Sequence, residues 1–204
     1  MMLSGVMTSR RDRYTEETVT ALLACARAWF GRVGYDEASL EAIAQQAEVT
    51  TGAIYHHFKG KKGLFLAVAE QIEAELLSTA LAVSDPALDP WALLKQAFEG
   101  LIDACARDDI QRIIFLEAPR VIGAEAWREI EMKYAFGAMS AARGQFQAAG
   151  QMRPYPVALV APVLLATLAE TSRFVATTPA ERSNAVDLMM RVIDGLRDDT
   201  GAEV

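Results

Sequence analysis

The chain of 204 residues is 52% apolar and 23% charged with a net charge of −7, proportions that exclude wholesale disorder and fit one or two globular domains. No apolar run reaches the roughly 18 residues of a membrane span; the longest, Val157 to Ala166, contains Pro162. The first residues lack an apolar stretch suited to secretion, and Cys25 and Cys105 alone make no disulfide framework or zinc cluster, so a reduced, cytoplasmic protein with no membrane partner is expected.

In chain order, Thr15 is predicted to cap a first helix whose face carries Val19, Leu22, Leu23, Ala26, Phe30 and Val33, with Gly34 at its end. Ser39 is predicted to cap a short second helix carrying Leu40, Ile43, Ala44 and Ala47. A break at Glu48-Val49-Thr50-Thr51 leads to a short third helix through Phe58. After Gly60 comes a longer helix striped by Leu64, Phe65, Val68, Ile72 and Leu76, fading at Ser84-Asp85-Pro86. Asp89-Pro90 reads as an N-cap followed by proline at N1, opening a helix to about Arg107. Residues 109–118 form a short helix stopped by Pro119, and 124–149 a long one weakened by Gly137 and Gly144. Pro156 to Thr177 is apolar almost all round, so it needs cover on more than one side. Thr178-Pro179-Ala180-Glu181 reads as a capping box launching the last helix to about Arg197. With no alternating strand pattern and no internal repeat, the expected fold is all-α, with about nine helices.

The charge is uneven. Residues 1–62 sum to +1 and residues 63–204 to −8. The basic residues of the first part cluster at its two ends, at Arg10, Arg11 and Arg13 and at Lys59, Lys61 and Lys62. Two such clusters bracketing a small helical unit suit a phosphate-contacting footprint. Helices two and three, short and joined by a tight turn, have helix-turn-helix proportions. In the third, Ile54 and Phe58 are four apart and point inward, while Gly52, Ala53 and His56 face outward with Tyr55 and His57 on the flanks. Thr50 and Thr51 place hydroxyls and free N–H groups at the helix N-terminus, where phosphates bind. Gly52 and Ala53 permit close approach, and Tyr55 and His56 offer hydrogen bonds to phosphates or base edges.

The stretch from Tyr14 to about Leu76, centred on L-E-A-I-A-Q-Q-A-E-V-T-T-G-A-I-Y-H-H-F-K-G-K-K-G-L-F, resembles the TetR family of bacterial transcriptional regulators over about a third of the chain. The resemblance implies a homodimer with the third helix in the major groove of double-stranded operator DNA and the fourth helix starting at a phosphate. By position, the family's DNA contacts fall on Ser39, Thr50, Thr51 and Gly52, and on Tyr55, His56, His57 and Lys61. It also implies a division into a flexible arm (1–14), a helix-turn-helix domain (15–62), a connecting helix (63–84) and a larger helical ligand-binding and dimerisation domain (85–204). Two positions depart from the pattern. Glu48 stands where the family most often has glycine, at a strain of about 1 kcal/mol if φ is positive. Lys62 replaces a common acidic residue in the first turn of helix four, against the helix dipole.

Elsewhere the chemistry is sparse. Adjacent helical histidines diverge by about 100°, so His56 and His57 share no metal, and no catalytic set, cofactor or metal site can be assembled. Asp108-Asp109 is explained by capping, and both cysteines by burial. For the small-molecule effector, the expected lining is Phe98, Ile102, Ile113, Leu116, Trp127, Tyr134, Met139 and Phe174. Glu117, Arg120, Glu170 and Arg173 are polar residues set in otherwise apolar turns, and an apolar cavity with a few polar groups suits such a ligand; for Glu170 and Arg173, at i and i+3, the alternative is that they pair with each other. Dimerisation is expected through the last two helices, with Val186, Met189, Ile193 and Leu196 as the stripe. The expected function is a repressor released from a pseudo-palindromic operator by a mainly apolar effector. The alternatives are a helical small-molecule-binding protein or enzyme that no longer binds DNA, or an activator of the same architecture.

Overall fold

The computed structural model describes residues 10–83, 87–135 and 153–198, with side chains from residue 15 onward. Every extended run of regular structure among them is helical, and the chain divides into two compact units, Met1–Val68 and Ala69–Val204.

In the first unit, α1 (Arg10–Glu37) starts ahead of Thr15. Thr15 is thus inside the helix rather than its cap, and residues 10–14 of the expected arm are helical. Gly34, at φ 82° and ψ 176°, breaks the helix where expected, a conformation that glycine reaches without steric cost. α2 (Leu40–Gln46) is capped by Ser39, whose Oγ accepts from the Ala42 N–H at 3.2 Å. α3 spans Thr51–Phe58 and α4 spans Lys61–Leu81, crossing into the second unit. Leu22, Ala26, Phe30, Ile43, Ile54, Leu64, Phe65 and Val68 are fully buried. The Phe65 ring meets Phe30 edge-on at 5.1 Å and Tyr35 at 5.3 Å, so the first helix is tied to the fourth by aromatic packing.

In the second unit, Asp89 caps α5 (Pro90–Cys105), its carboxylate accepting from the Trp91 and Ala92 N–H groups. α6 runs as α-helix over Asp108–Ile110, as π-helix over Gln111–Glu117 and as α-helix again over Ala118–Ile122. Pro119 therefore does not stop it. The Ala118 N–H reaches back to the Ile113 carbonyl, and this wider turn accommodates a residue that lacks an N–H and would crowd the carbonyl four residues earlier. α7 covers residues 124–135; Gly137, Met139 and Gly144 lie outside the described residues, as do Ser84, Asp85 and Pro86.

α8 (Val157–Thr177) packs against α5 and α9 (Arg182–Asp194). Thr178 makes no capping-box hydrogen bond. A 3₁₀ turn over Pro179–Glu181 intervenes, and the Glu181 carboxylate accepts from the Asn184 side chain at 2.6 Å instead. α8 is, among the described residues, the one helix long and apolar enough to cross a membrane, because polar interruptions such as Glu170 are too few to lower its average. It buries Val160, Ala161, Leu164, Leu168 and Val175 in the unit's core. Asp194 fastens α9 to α5, accepting from Trp91 Nε1 at 2.9 Å and Lys95 Nζ at 2.7 Å. The Lys95 hydrogen bond in particular holds its carboxyl below the usual carboxylate range.

Candidate nucleic-acid interface and ligand cavity

The turn between α2 and α3 is closed by the Val49 N–H donating to the Ala44 carbonyl at 3.0 Å, with Glu48 at φ 56°. A non-glycine residue in the left-handed region is strained, and it aims the chain into Thr50, the N-cap of α3, whose hydroxyl makes no cap hydrogen bond. Ile54 is fully buried and anchors α3. Phe58 is half-buried rather than wholly inward. Gly52 and His56 are exposed, Tyr55 is 56% exposed, and Thr51, Ala53 and His57 are half-buried on the flanks. The outward face of this eight-residue helix thus presents a phenol, an imidazole and two threonine hydroxyls around a glycine.

Behind α3 the backbone is forced. Lys59 (φ 64°) and Gly60 (φ 117°) both turn left-handed, and the Lys59 side chain donates to the His56 carbonyl at 3.0 Å. Gly63 was not singled out by sequence reasoning, yet a Cβ there would collide with the Phe58 carbonyl oxygen. Only the small residue lets the first turn of α4 approach the end of α3 so closely. Lys61 Nζ donates to the Asp36 carbonyl at 2.9 Å and stands 4.8 Å from the Tyr35 ring centroid. Ser39 likewise serves the fold, donating to Glu41 Oε2 at 2.8 Å as well as capping α2.

The second unit contains a cavity of about 710 Å³ lined mainly by leucine, alanine and aromatic side chains of α4, α5, α6, α7 and α8, a size and character suited to a drug-sized molecule. Of the expected lining, Phe98 and Tyr134 reach it. Ile102 and Ile113 do not: both are fully buried in the core, while Leu116 is 66% exposed. The π-turn explains the shift on α6. One extra residue per turn rotates the register, so Ile114 and Phe115 face the cavity instead. Trp127 is buried in the core, its indole N–H beside Glu131. Phe174 is 47% exposed at the surface. Glu117 is buried but paired with Arg120 at 2.6 Å, and Glu170 and Arg173 pair with each other on the exposed face of α8. None of these four lines the cavity.

Its polar lining comes from other residues, chiefly Glu73 of α4 and Arg128 and Glu131 of α7. Burial first, and then repulsion from Glu131, push the Glu73 carboxyl up to about 7. Burial raises Glu131 as well, opposed by the Trp127 N–H and Arg128. A signal for Glu73 exists in the sequence: it interrupts the apolar face formed by Ala69, Ile72, Leu76 and Ala80 on α4.

The expected dimer stripe turns inward. Met189 and Ile193 are fully buried within the unit, and Val186 and Leu196 are half-buried. A 3-4-3 spacing identifies an apolar face but not whether its partner is intramolecular. On these two helices the large apolar side chains left exposed are Leu159 and Val163 (56% and 49%) and Phe174 on α8, and Leu188 (60%) on α9.

Residues 22–68 match the family model described as bacterial regulatory proteins, tetR family, and residues 91–196 match the tetracyclin repressor-like, C-terminal domain. The Transposon Tn10 TetC protein of Escherichia coli is 28% identical over 140 residues, 69% of this chain and 71% of that protein. The HTH-type transcriptional repressor BepR of Brucella suis biovar 1 is 31% identical over 102 residues, 48% of each chain. A crystal structure of a TetR-family transcriptional regulator from Pectobacterium atrosepticum superposes with a TM-score of 0.73 at 29% identity, covering 93% of this chain and 97% of that one.

Proposed function

The chain belongs to the TetR family of DNA-binding transcriptional regulators, and from that premise we propose that it is a homodimeric repressor released from a pseudo-palindromic operator by a small, mainly apolar effector. The observation that carries this reading is the outward face of α3, with Gly52, Tyr55 and His56 exposed opposite a fully buried Ile54. Gly52 allows backbone approach to the major-groove floor. Thr51, Tyr55, His56 and His57 supply base-edge and phosphate hydrogen bonds, and Thr50 meets phosphate at the helix N-terminus. Lys61 spends one donor on Asp36, leaving two for a phosphate; the Ser39 hydroxyl has one donor, held by Glu41, and becomes a flanking phosphate contact by exchanging that bond.

The second copy covers Leu159, Val163, Phe174 and Leu188, since large apolar side chains left exposed on two packed helices mark an interface. The effector occupies the 710 Å³ cavity and acts by preferring a dimer whose two α3 helices no longer match the groove spacing, because equal affinity for both states would shift nothing.

Gel retardation and footprinting with duplex DNA flanking the protein's own gene test the reading. The expected footprint is two half-sites with centres roughly 34–36 Å apart, lost on Tyr55→Ala. No retardation at low salt would replace this reading with that of a helical ligand-binding protein that has left DNA behind. Protection of one half-site by a monomer would overturn the dimer.

A further inference from the structure

The charges on the cavity wall are few and unbalanced. Among the described residues that line it, Glu73 and Glu131 are the carboxylates and Arg128 the one cation. Arg128 is exposed and acts on Glu131, while the buried Trp127 N–H near it completes no hydrogen bond among the described residues. Glu73 has no such support: no hydrogen bond or ion pair to it is found among the described residues, and the charge that acts on it is the like charge of Glu131. A leucine here would complete the apolar face of α4. The carboxylate instead stands against leucine, phenylalanine and tyrosine side chains, where an uncompensated charge is costly.

We infer that the cavity takes an amphiphilic monocation, an apolar body bearing one ammonium-like group, with the positive charge held at Glu73 and Glu131 and the body among the leucines; this rests on reading the cavity as the effector site. A neutral guest fills the volume but leaves the carboxylates repelling one another. An anion adds a third negative charge beside two, inside a part of the chain that already sums to −8 over residues 63–204. A monocation balances the net −1 of Glu73, Glu131 and Arg128 among the described lining residues, and the Phe98 and Tyr134 side chains border the same space.

Without a cationic guest a proton takes the counter-charge role. The titratable groups around Glu73 are Glu131 and Tyr134 on α7, Cys105 on α5 and, on its own helix, Glu70 near Tyr134. The Cys105 thiol is pushed up to about 12, chiefly by burial, and the Tyr134 phenol is also raised, so both stay neutral near pH 7. The carboxyl pair therefore holds the exchangeable proton, and an arriving cation displaces it.

The test uses the full chain and three probes sharing a decyl tail: decyltrimethylammonium, 1-decanol and decanoate, each titrated calorimetrically below its micelle concentration. The expected result is that the ammonium binds about tenfold tighter than decanol, with decanoate weakest. It should release a proton near pH 7, seen as a heat that depends on the buffer. Glu73→Gln should cost the ammonium about tenfold, remove the proton release and leave decanol unchanged. Glu131→Gln should weaken the ammonium to a lesser degree. The inference is overturned if decanol or decanoate binds as tightly as the ammonium, or if the cation preference survives both substitutions. Binding of decanol and decanoate without the ammonium would keep the effector cavity and remove the charge assignment. Binding of none of the three would overturn both.

Discussion

In the N-terminal unit an eight-residue helix, α3, is held by one fully buried side chain, by a left-handed Glu48 ahead of it and by a glycine behind it that has no room for a Cβ. In the C-terminal unit helices of 16 and 21 residues, α5 and α8, help enclose about 710 Å³ of space and leave apolar side chains exposed on α8. A helix of two turns has almost no stability of its own, so its position has to be over-determined by its surroundings. Long helices stabilised along the rest of their length can border a void and exposed apolar side chains, the features to which the proposed function assigns a ligand and a second copy. Reading a groove demands fixed geometry, whereas responding to an effector demands contacts that the protein does not complete alone.

The contrast can be broken most sharply at Gly63. Gly63→Ala forces the Phe58 carbonyl and the start of α4 apart and should cost on the order of 3 kcal/mol, seen as faster hydrogen exchange across residues 40–68 with operator binding lost. Unchanged protection there would mean the approach of α3 and α4 is not tight. A paired measurement comes next. Ala26 is fully buried in the N-terminal unit, while Ala97 borders the cavity. Ala26→Leu should destabilise by about 1–3 kcal/mol through overpacking, and Ala97→Leu by less than about 1 kcal/mol because space is waiting for it. Equal costs at the two sites would erase the distinction.

Glu73 sharpens the comparison through pH. Its folded-state pKa of about 7 lies above the ordinary 4.5, so between those values the folded state holds more protons than the unfolded one. The stability of the empty protein should therefore fall as pH rises through that window, by up to roughly 2 kcal/mol after allowance for solvent screening. Urea unfolding of the Glu73→Gln variant should show the fall much reduced; a fall of the same size would locate it elsewhere. The smallest effect belongs to Glu48. At φ 56°, Glu48→Gly should raise stability by a few tenths of a kcal/mol, the relief of strain slightly exceeding glycine's extra freedom in the unfolded chain. A clear loss in melting temperature would contradict that sign.

The features legible in the sequence were those made by neighbours along the chain. Ser39 and Asp89 cap the helices they precede, Gly34 breaks α1, and the stretch from Leu40 to Phe65 carries a gapless family pattern. Misreadings arose where a local rule met a distant constraint. Pro119 reads as a stop, but the π-turn before it absorbs the missing N–H. Thr178 and Glu181 have capping-box spacing, but a 3₁₀ turn separates them from α9. Glu170 and Arg173 read as cavity groups, yet they face outward and meet each other.

The sequence by itself determined an all-helical fold with a helix-turn-helix near residue 50, because caps, helical period and the turn before α3 are set by interactions of short range; the role of regulator came from the family motif that the same stretch carries. Which side of each apolar helix meets the core, the cavity or the surface was decided by tertiary structure alone. Met189, Glu73 and Leu159 occupy similar places in apolar helical patterns, and one is buried, one borders a void and one is exposed. Their fates follow from packing between segments as far apart in the chain as Trp91 and Asp194, and hydrophobic burial, having no direction of its own, leaves no record of its partner in the sequence around each residue.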